Sequence, residues 1–180
     1  MDVEGLTIDK VREILRASEG IATQWPDSKA YVKDGRVQPS RVGHPIHDHL
    51  HSVSSAEDKT KFISMNDMVD ALWQVLHSPA GVSTLRNLKT GQRRSIDSST
   101  NRPFPFECEV PDPQGRPTKH RVKFSVAELI RAGWSQTNCV AIVEVRERSQ
   151  VQHLQVHTFY PKYTKVELKK LLENVRTDSE

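Results

Sequence analysis

The sequence predicts an α+β fold in which helices come first and a mainly antiparallel, twisted sheet follows. Two features of the chain support this class. Apolar residues recur at helical spacing between Met65 and Leu76, whereas between Phe104 and Val110 they alternate, as on one face of a strand. Turn-forming residues at 111–115 then separate this strand from a second one, which predicts an antiparallel hairpin.

The N-terminal part of the chain differs from the remainder. A helix is expected over residues 7–17, because apolar residues line one side of it. Residues 20–42 contain scattered prolines and glycines and predict a linker or an extended arm. The sequence therefore suggests an N-terminal helix and linker at 1–42, followed by a main domain at 43–180.

The main domain shows further helix and strand signals. A capping box at Ser64 predicts the start of a second helix, which a Pro-Ala-Gly sequence at 79–81 is expected to end. The polar stretch 80–102 predicts a loop. The elements expected after it are the hairpin over 103–124, a short helix after Ser125, strands at 139–145 and 153–160, the second closed by Pro161, and a C-terminal helix after Thr164.

Composition narrows the class of protein only modestly. The formal net charge is +3 and the pI is about 8.9, which is compatible with a polyanionic partner but does not require one. The chain has no apolar run of about 18 residues, so no membrane-spanning segment is expected, and no cofactor is expected either. Cys108 and Cys139 are expected to be small buried residues, with a single disulfide as the alternative.

Histidines are concentrated in one short segment. Four of the eight in the chain are His44, His47, His49 and His51. Such a cluster is compatible with a metal site, a solvated loop or acid–base catalysis, because imidazole exchanges protons near neutral pH. The spacing of His44 and His47 departs from the zinc-hydrolase pattern His-x-His-x-Asp-His, and no HExxH or CxxC motif accompanies it. Acid–base catalysis is favoured, and the other two interpretations stay open.

The last predicted strand carries two hydroxyl groups. Because side chains alternate along a strand, Thr158 and Tyr160 are expected to face one way, with His157 and Phe159 facing the other. Threonine and tyrosine are ordinary strand residues. Beside Lys162, however, their hydroxyls also form a surface suited to binding phosphate.

Three segments, in this order, resemble a known family. Residues 43–50, GHPIHDHL, are similar to the GHxIxxHV segment of the RNase A-like toxin domains at the C-terminal tips of bacterial contact-dependent growth inhibition proteins. The residues FIS at 62–64 resemble the strand-to-helix junction S-x-F-x-D of that family, and VHTFYP at 156–161 resembles its closing T-x-Y-P strand. The resemblance implies an RNase A-like fold, with barnase-like and EndoU-like toxin folds as alternatives.

The resemblance also implies roles for residues of this chain. His49 corresponds to the catalytic histidine of the family, and Thr158 and Tyr160 correspond to its active-site threonine and tyrosine. His44 would be either a second acid–base group or a structural histidine.

The resemblance leaves the residue that supplies the positive charge open. Where the family has an arginine after the histidine segment, this chain has Lys59 and Lys61. Either lysine would replace that arginine, or the charge would come from Lys119 or Arg121. The basic residues expected to contact RNA are Lys119, Arg121, Arg93, Arg94 and Lys162.

By this resemblance, the chain would be a ribonuclease toxin domain acting on RNA, with tRNA as one candidate, and needing no metal. Attack by the 2′-hydroxyl would give a 2′,3′-cyclic phosphate, so DNA would not be cleaved. The implied partners are a cognate immunity protein and a larger delivery protein with this chain as its C-terminal part. Since the N-terminus has no signal-peptide pattern, that carrier would deliver it, secreted or from the cell surface, to act in the target-cell cytoplasm.

Two other classes of function stay open at this point. A non-catalytic module that binds RNA or an acidic protein would use the same basic residues and release its partner intact. A zinc hydrolase with histidine ligands would lose its activity in a chelator.

Overall fold

The computed structural model describes residues 3–15, 31–33, 36–38, 60–112, 114–117, 119–148 and 150–178. In chain order, the elements are α1 (residues 8–15), β1 (Tyr31–Lys33), β2 (Arg36–Gln38), β3 (Lys61–Phe62), α2 (Met65–His77), α3 (Pro79–Asn87), β4 (Arg93–Ser99), β5 (Phe106–Pro111), β6 (Lys119–Phe124), α4 (Val126–Arg131), β7 (Asn138–Arg148), β8 (Val151–Lys162) and α5 (Lys165–Asp178). The α+β class that the sequence predicts is therefore confirmed.

The strands of the described residues pair antiparallel, apart from a parallel bridge between Thr90 and Val145. They form a hairpin β1–β2 and two three-stranded sheets, β3-β5-β6 and β4-β7-β8. The sequence suggested a single sheet, so the division of the strands is a correction. The predicted hairpin is confirmed as β5–β6, in which Phe106 pairs with Phe124.

Helix α1 shares its hydrophobic core with α2 and the β4-β7-β8 sheet. Val11 and Leu15 are fully buried in this core. The indole Nε1 of Trp73, on α2, donates a hydrogen bond of 2.8 Å to the carbonyl of Leu6, just before α1. Apolar contacts therefore hold residues 3–15 to the core beneath the main sheet, while the domain boundary at residue 42 stays a prediction.

Residues 80–102 are not the loop that their polarity predicts. Pro79 stands in the first turn of α3, behind the N-cap Ser78, where its missing N–H leaves no helical hydrogen bond unmade. Strand β4 follows, and Ile96 is the one buried residue in it. A strand with a single buried residue lacks the apolar alternation by which strands are recognised, which explains the wrong prediction.

Proline 161 lies inside β8 and does not end it. It pairs with Cys139 of β7. Because β8 is at the edge of its sheet, a residue without an N–H group is tolerated there.

Cys108 and Cys139 are buried in separate cores and are not joined by a disulfide, so the disulfide alternative is wrong. Burial is also the main cause that raises the pKa of the Cys139 thiol.

Two hydrophobic cores position the main sheet. The larger one lies between α1, α2 and one face of β4-β7-β8, and the smaller one between the β5–β6 hairpin, α4 and α5. Phe62 of β3 stacks on Phe159 of β8 with ring centroids 5.0 Å apart. Ring stacking thus ties the β3-β5-β6 sheet to β8. The opposite face of β4-β7-β8 is turned away from the larger core.

Replacing Gly81 by alanine is expected to lower the free energy of unfolding by about 1–3 kcal/mol, the usual cost of overpacking. A Cβ at this position of α3 would lie 2.5 Å from the carbonyl oxygen of Leu76 and closer still to that of Val75. Urea denaturation of Gly81→Ala measures the loss. Gly5→Ala is the matched control, since nothing lies within 4 Å of its added Cβ. Equal stability of the two variants would contradict the close approach of α3 to α2.

Candidate active site

The β4-β7-β8 sheet has one apolar and one polar face. Ile96, Val143 and Val156 belong to the larger hydrophobic core. The other face, called here the outer face, carries polar side chains from all three strands. These include Arg93 and Asp97 on β4, Glu144 and Arg146 on β7, and His153, Gln155, His157, Thr158, Tyr160 and Lys162 on β8.

An irregularity in the pairing of β7 with β8 determines what the outer face contains. Ile142 pairs with Thr158, but the next residue, Val143, pairs with Val156, so His157 is an extra residue in β8. As a consequence, Val156 and Phe159 both lie in the core although they are three positions apart. Strict alternation would place one of them on the outer face.

The bulge corrects the predicted orientation of His157. Strict alternation predicts that it faces away from Thr158, but its Nε2 lies 3.0 Å from Oε1 of Glu144. Glu144 belongs to the outer face because Val143 and Val145, on either side of it, are in the core. His157 and Thr158 are therefore neighbours on the same face.

The carboxylate of Glu144 joins three basic side chains. It is buried and receives a hydrogen bond from Nε of Arg146 at 2.7 Å, in addition to its contact with His157. Arg93, on the neighbouring strand, places an Nη2 atom 3.9 Å from Oε1 of the same carboxylate. A buried carboxylate needs such partners, since an unpaired buried charge is costly.

The surroundings favour the neutral imidazole of His157. Burial is the largest cause that lowers its pKa below the usual 6.5, and the charge of Arg93 lowers it further, against the hydrogen bond and charge of Glu144. Because a carboxylate only accepts hydrogen bonds, Nε2 carries the proton in the neutral ring. The lone pair is then on Nδ1.

Four polar atoms of β8 are buried and have no hydrogen-bond partner among the described residues. They are Nε2 and Oε1 of Gln155, Nδ1 of His157 and Oγ1 of Thr158. An unsatisfied buried polar group costs about 1–3 kcal/mol. Their grouping on one stretch of one strand indicates a place where a polar ligand or a further part of the chain completes the hydrogen bonds.

The outer face continues towards the end of β8. Tyr160 is half-buried there, and the Nζ atom of Lys162 donates a hydrogen bond of 2.7 Å to Asp97 of β4. This hydrogen bond is the main cause that raises the pKa of the exposed Lys162 amino group, which therefore stays protonated.

The structure brings together four of the residues that the sequence singled out. Thr158, Tyr160 and Lys162 share the outer face, as predicted, and Arg93 reaches it from β4. The grouping of Arg93 with β8 could not be expected from a segment predicted to be a loop.

Other predicted RNA-binding residues lie elsewhere. Arg94 is on the same side of β4 as Ile96, opposite the outer face. Arg121 is on β6 and is paired with Glu107 and Glu109 of β5. Lys119 begins the same strand, in the other three-stranded sheet.

The predicted histidine and lysine residues are mostly outside the described part. His44, His49 and Lys59 lie there, as do His47 and His51. Of Lys61, the structure gives the backbone, which is in β3 and pairs with Glu107. The catalytic assignment of these residues stays a prediction.

Sequence reasoning missed Glu144, Arg146 and Gln155 and misplaced His157. No local signal identifies a bulge, and a charged residue inside an apolar strand such as Val143-Glu144-Val145 is the one hint. In the described part of the chain, no group of three histidine, cysteine, aspartate or glutamate residues is arranged to hold a metal ion.

Comparisons with protein-family models, curated proteins and solved structures found no match. The helices of the described residues include none with the length and apolar character needed to span a membrane.

The stability of the protein is expected to depend on the pH through His157. Its pKa is lower in the folded than in the unfolded chain, so the unfolded chain binds the proton more tightly. The free energy of unfolding should therefore fall as the pH is lowered from about 7 to 5. Urea denaturation across this range measures the slope.

His157→Gln should have a smaller slope than the parent protein, because the titrating group is gone. Gln152→Ala, at an exposed residue of the same strand that does not titrate, is the control and should keep the parent slope. A parent slope retained in His157→Gln would contradict the lowered pKa.

Proposed function

We propose that this chain is a metal-independent endoribonuclease and that the outer face of the β4-β7-β8 sheet is its active site. The observation that supports this most is the pair His157 and Thr158. The bulge in β8 sets these two side chains side by side with unpartnered polar atoms, and Arg93 contacts the same carboxylate oxygen of Glu144 as His157 does. Cleavage of RNA through its own 2′-hydroxyl needs these kinds of group: proton carriers, hydroxyl donors and cations close to one phosphate.

The hydroxyl and basic groups have separate tasks in this proposal. Thr158 donates its hydroxyl hydrogen to a nonbridging phosphate oxygen, and the half-buried Tyr160 donates to the same phosphate or stacks under a base. Arg93 supplies the positive charge in place of Lys59 or Lys61. It stabilises the negative charge that grows on the phosphorus centre during attack by the 2′-oxygen.

The remaining roles come from the family resemblance. His49 acts as an acid–base group and donates a proton to the leaving 5′-oxygen. As a toxin of interbacterial competition, the chain would be carried by a larger delivery protein into the target-cell cytoplasm. A cognate immunity protein would bind it and block the outer face.

Replacement of Arg93 by glutamine is expected to slow RNA cleavage in EDTA by about ten- to hundredfold, as for loss of a charged hydrogen-bond donor. The measurement is the single-turnover rate on an RNA oligonucleotide. Arg94→Gln is the matched control, because this adjacent arginine is on the opposite side of β4 and should keep the parent rate. If Arg94→Gln is slowed and Arg93→Gln is not, the active site is not on the outer face.

Replacement of Thr158 by valine is expected to reduce the same rate by about 10²–10³-fold, the usual effect of removing a donor to a transition-state oxyanion. Valine keeps the shape of the side chain and removes the hydroxyl, so the fold should persist by circular dichroism.

Parent protein that binds RNA and leaves it intact would support the binding module. Cleavage that requires added zinc would support the zinc hydrolase.

A further inference from the structure

We propose that His157 is the general base of this reaction, accepting the 2′-hydroxyl proton of RNA on Nδ1, and that Glu144 positions it. This inference rests on the proposed ribonuclease function and adds to it a catalytic residue that the resemblance does not supply. It depends on the bulge, because without the extra residue in β8 the imidazole would not share a face with Thr158 and Arg93.

The hydrogen bonds of His157 differ from those of a structural histidine in the same protein. Both ring nitrogens of His77 contact backbone carbonyl oxygens, those of Trp73 at 2.8 Å and Val3 at 3.1 Å. The ring of His157 has one partner, Glu144, and its Nδ1 is buried without another among the described residues. A ring nitrogen that carries a lone pair and lacks a donor partner is placed to accept a proton.

Glu144 fixes both the tautomer and the orientation of this base. Its Oε1 accepts the Nε2 hydrogen, which leaves the lone pair on Nδ1. Arg146 and Arg93 share the carboxylate and moderate its charge. Without them, the carboxylate would raise the pKa of His157 further and hold the ring protonated, in a form that cannot act as a base at neutral pH.

The reaction balances with groups already named. The 2′-hydroxyl proton moves to Nδ1 of His157, the 2′-oxygen forms a bond to phosphorus, and the bond from phosphorus to the 5′-oxygen breaks. The departing 5′-oxygen takes a proton from the general acid that the proposed function requires. The products are a 2′,3′-cyclic phosphate and a 5′-hydroxyl, and exchange with solvent restores the acid and His157.

The burial of His157 sets a condition on this step. The residue is 5% exposed and Thr158 is 4% exposed, so the side chains around them must separate to admit the 2′-hydroxyl and the phosphate when RNA binds. Hydrogen bonds of catalytic groups commonly become complete in the substrate complex only.

The test is the single-turnover cleavage rate of an RNA oligonucleotide in EDTA, measured between about pH 5 and pH 8. The parent protein should show a rate that rises with pH through the pKa of the base and falls at higher pH, where the general acid loses its proton. His157→Gln should lose about 10²–10⁴-fold and the rise with pH. His120→Gln, at an exposed histidine on β6 of the other three-stranded sheet, should keep the parent profile.

Two further variants move the profile in opposite directions. Glu144 raises the pKa of His157, so Glu144→Gln should shift the rising part to lower pH as well as reduce the rate. Arg93 lowers that pKa, so Arg93→Gln should shift it to higher pH. A structural role for His157 would not move the profile in either case, and these two variants serve if His157→Gln does not fold.

The two proposals fail in different ways. Parent protein that leaves RNA intact overturns the ribonuclease function and the role of His157 with it. Parent protein that cleaves RNA, with His157→Gln within tenfold of it or with an unmoved profile in the other two variants, overturns the role of His157 alone.

Discussion

The outer face depends on one extra residue in β8. Strand β8 must send Val156 and Phe159 into the same core, because the ring of Phe159 stacks on Phe62 and helps hold the second sheet to the first. Two core residues separated by three positions cannot both be inward in a regular strand. The bulge at His157 resolves this conflict, and it leaves two consecutive polar residues pointing outward.

The bulge produces a polar cluster that a regular strand would not place on the outer face. His157 sits on the edge strand, Glu144 on the central one and Arg93 on the far one, so all three strands contribute to one charge network. Such a network costs stability wherever a buried atom lacks a partner, as Oγ1 of Thr158 does among the described residues. Proteins commonly keep such costs at functional sites, where the missing partner is the substrate.

Much of the fold could be predicted because it is encoded locally. The caps at Ser64, Ser125 and Thr164 each receive a backbone hydrogen bond at the start of a helix, as the sequence indicates. The shared face of Thr158 and Tyr160 also follows from alternation, since both lie on the same side of the bulge. These features need no information from distant parts of the chain.

The remainder depends on contacts between distant segments. Strand β4 is polar over most of its length, so it is recognisable as a strand only by its pairing with β7. The position of Arg93 depends on the same pairing. The bulge follows from the burial of Phe159 in the core, and no residue type near His157 predicts it. The role of Glu144 could be seen only once β7 and β8 were paired, because thirteen positions separate it from His157.

The most direct test of the outer face as the RNA site is an NMR titration in EDTA with a 2′-O-methyl RNA oligonucleotide, which binds but lacks the attacking hydroxyl. Side-chain signals of Arg93 and His157 should shift and saturate with added RNA. Those of Arg94, on the opposite side of β4, and of His120, on β6, should not move. Shifts confined to Arg94 or His120, or no shift at all, would contradict the account.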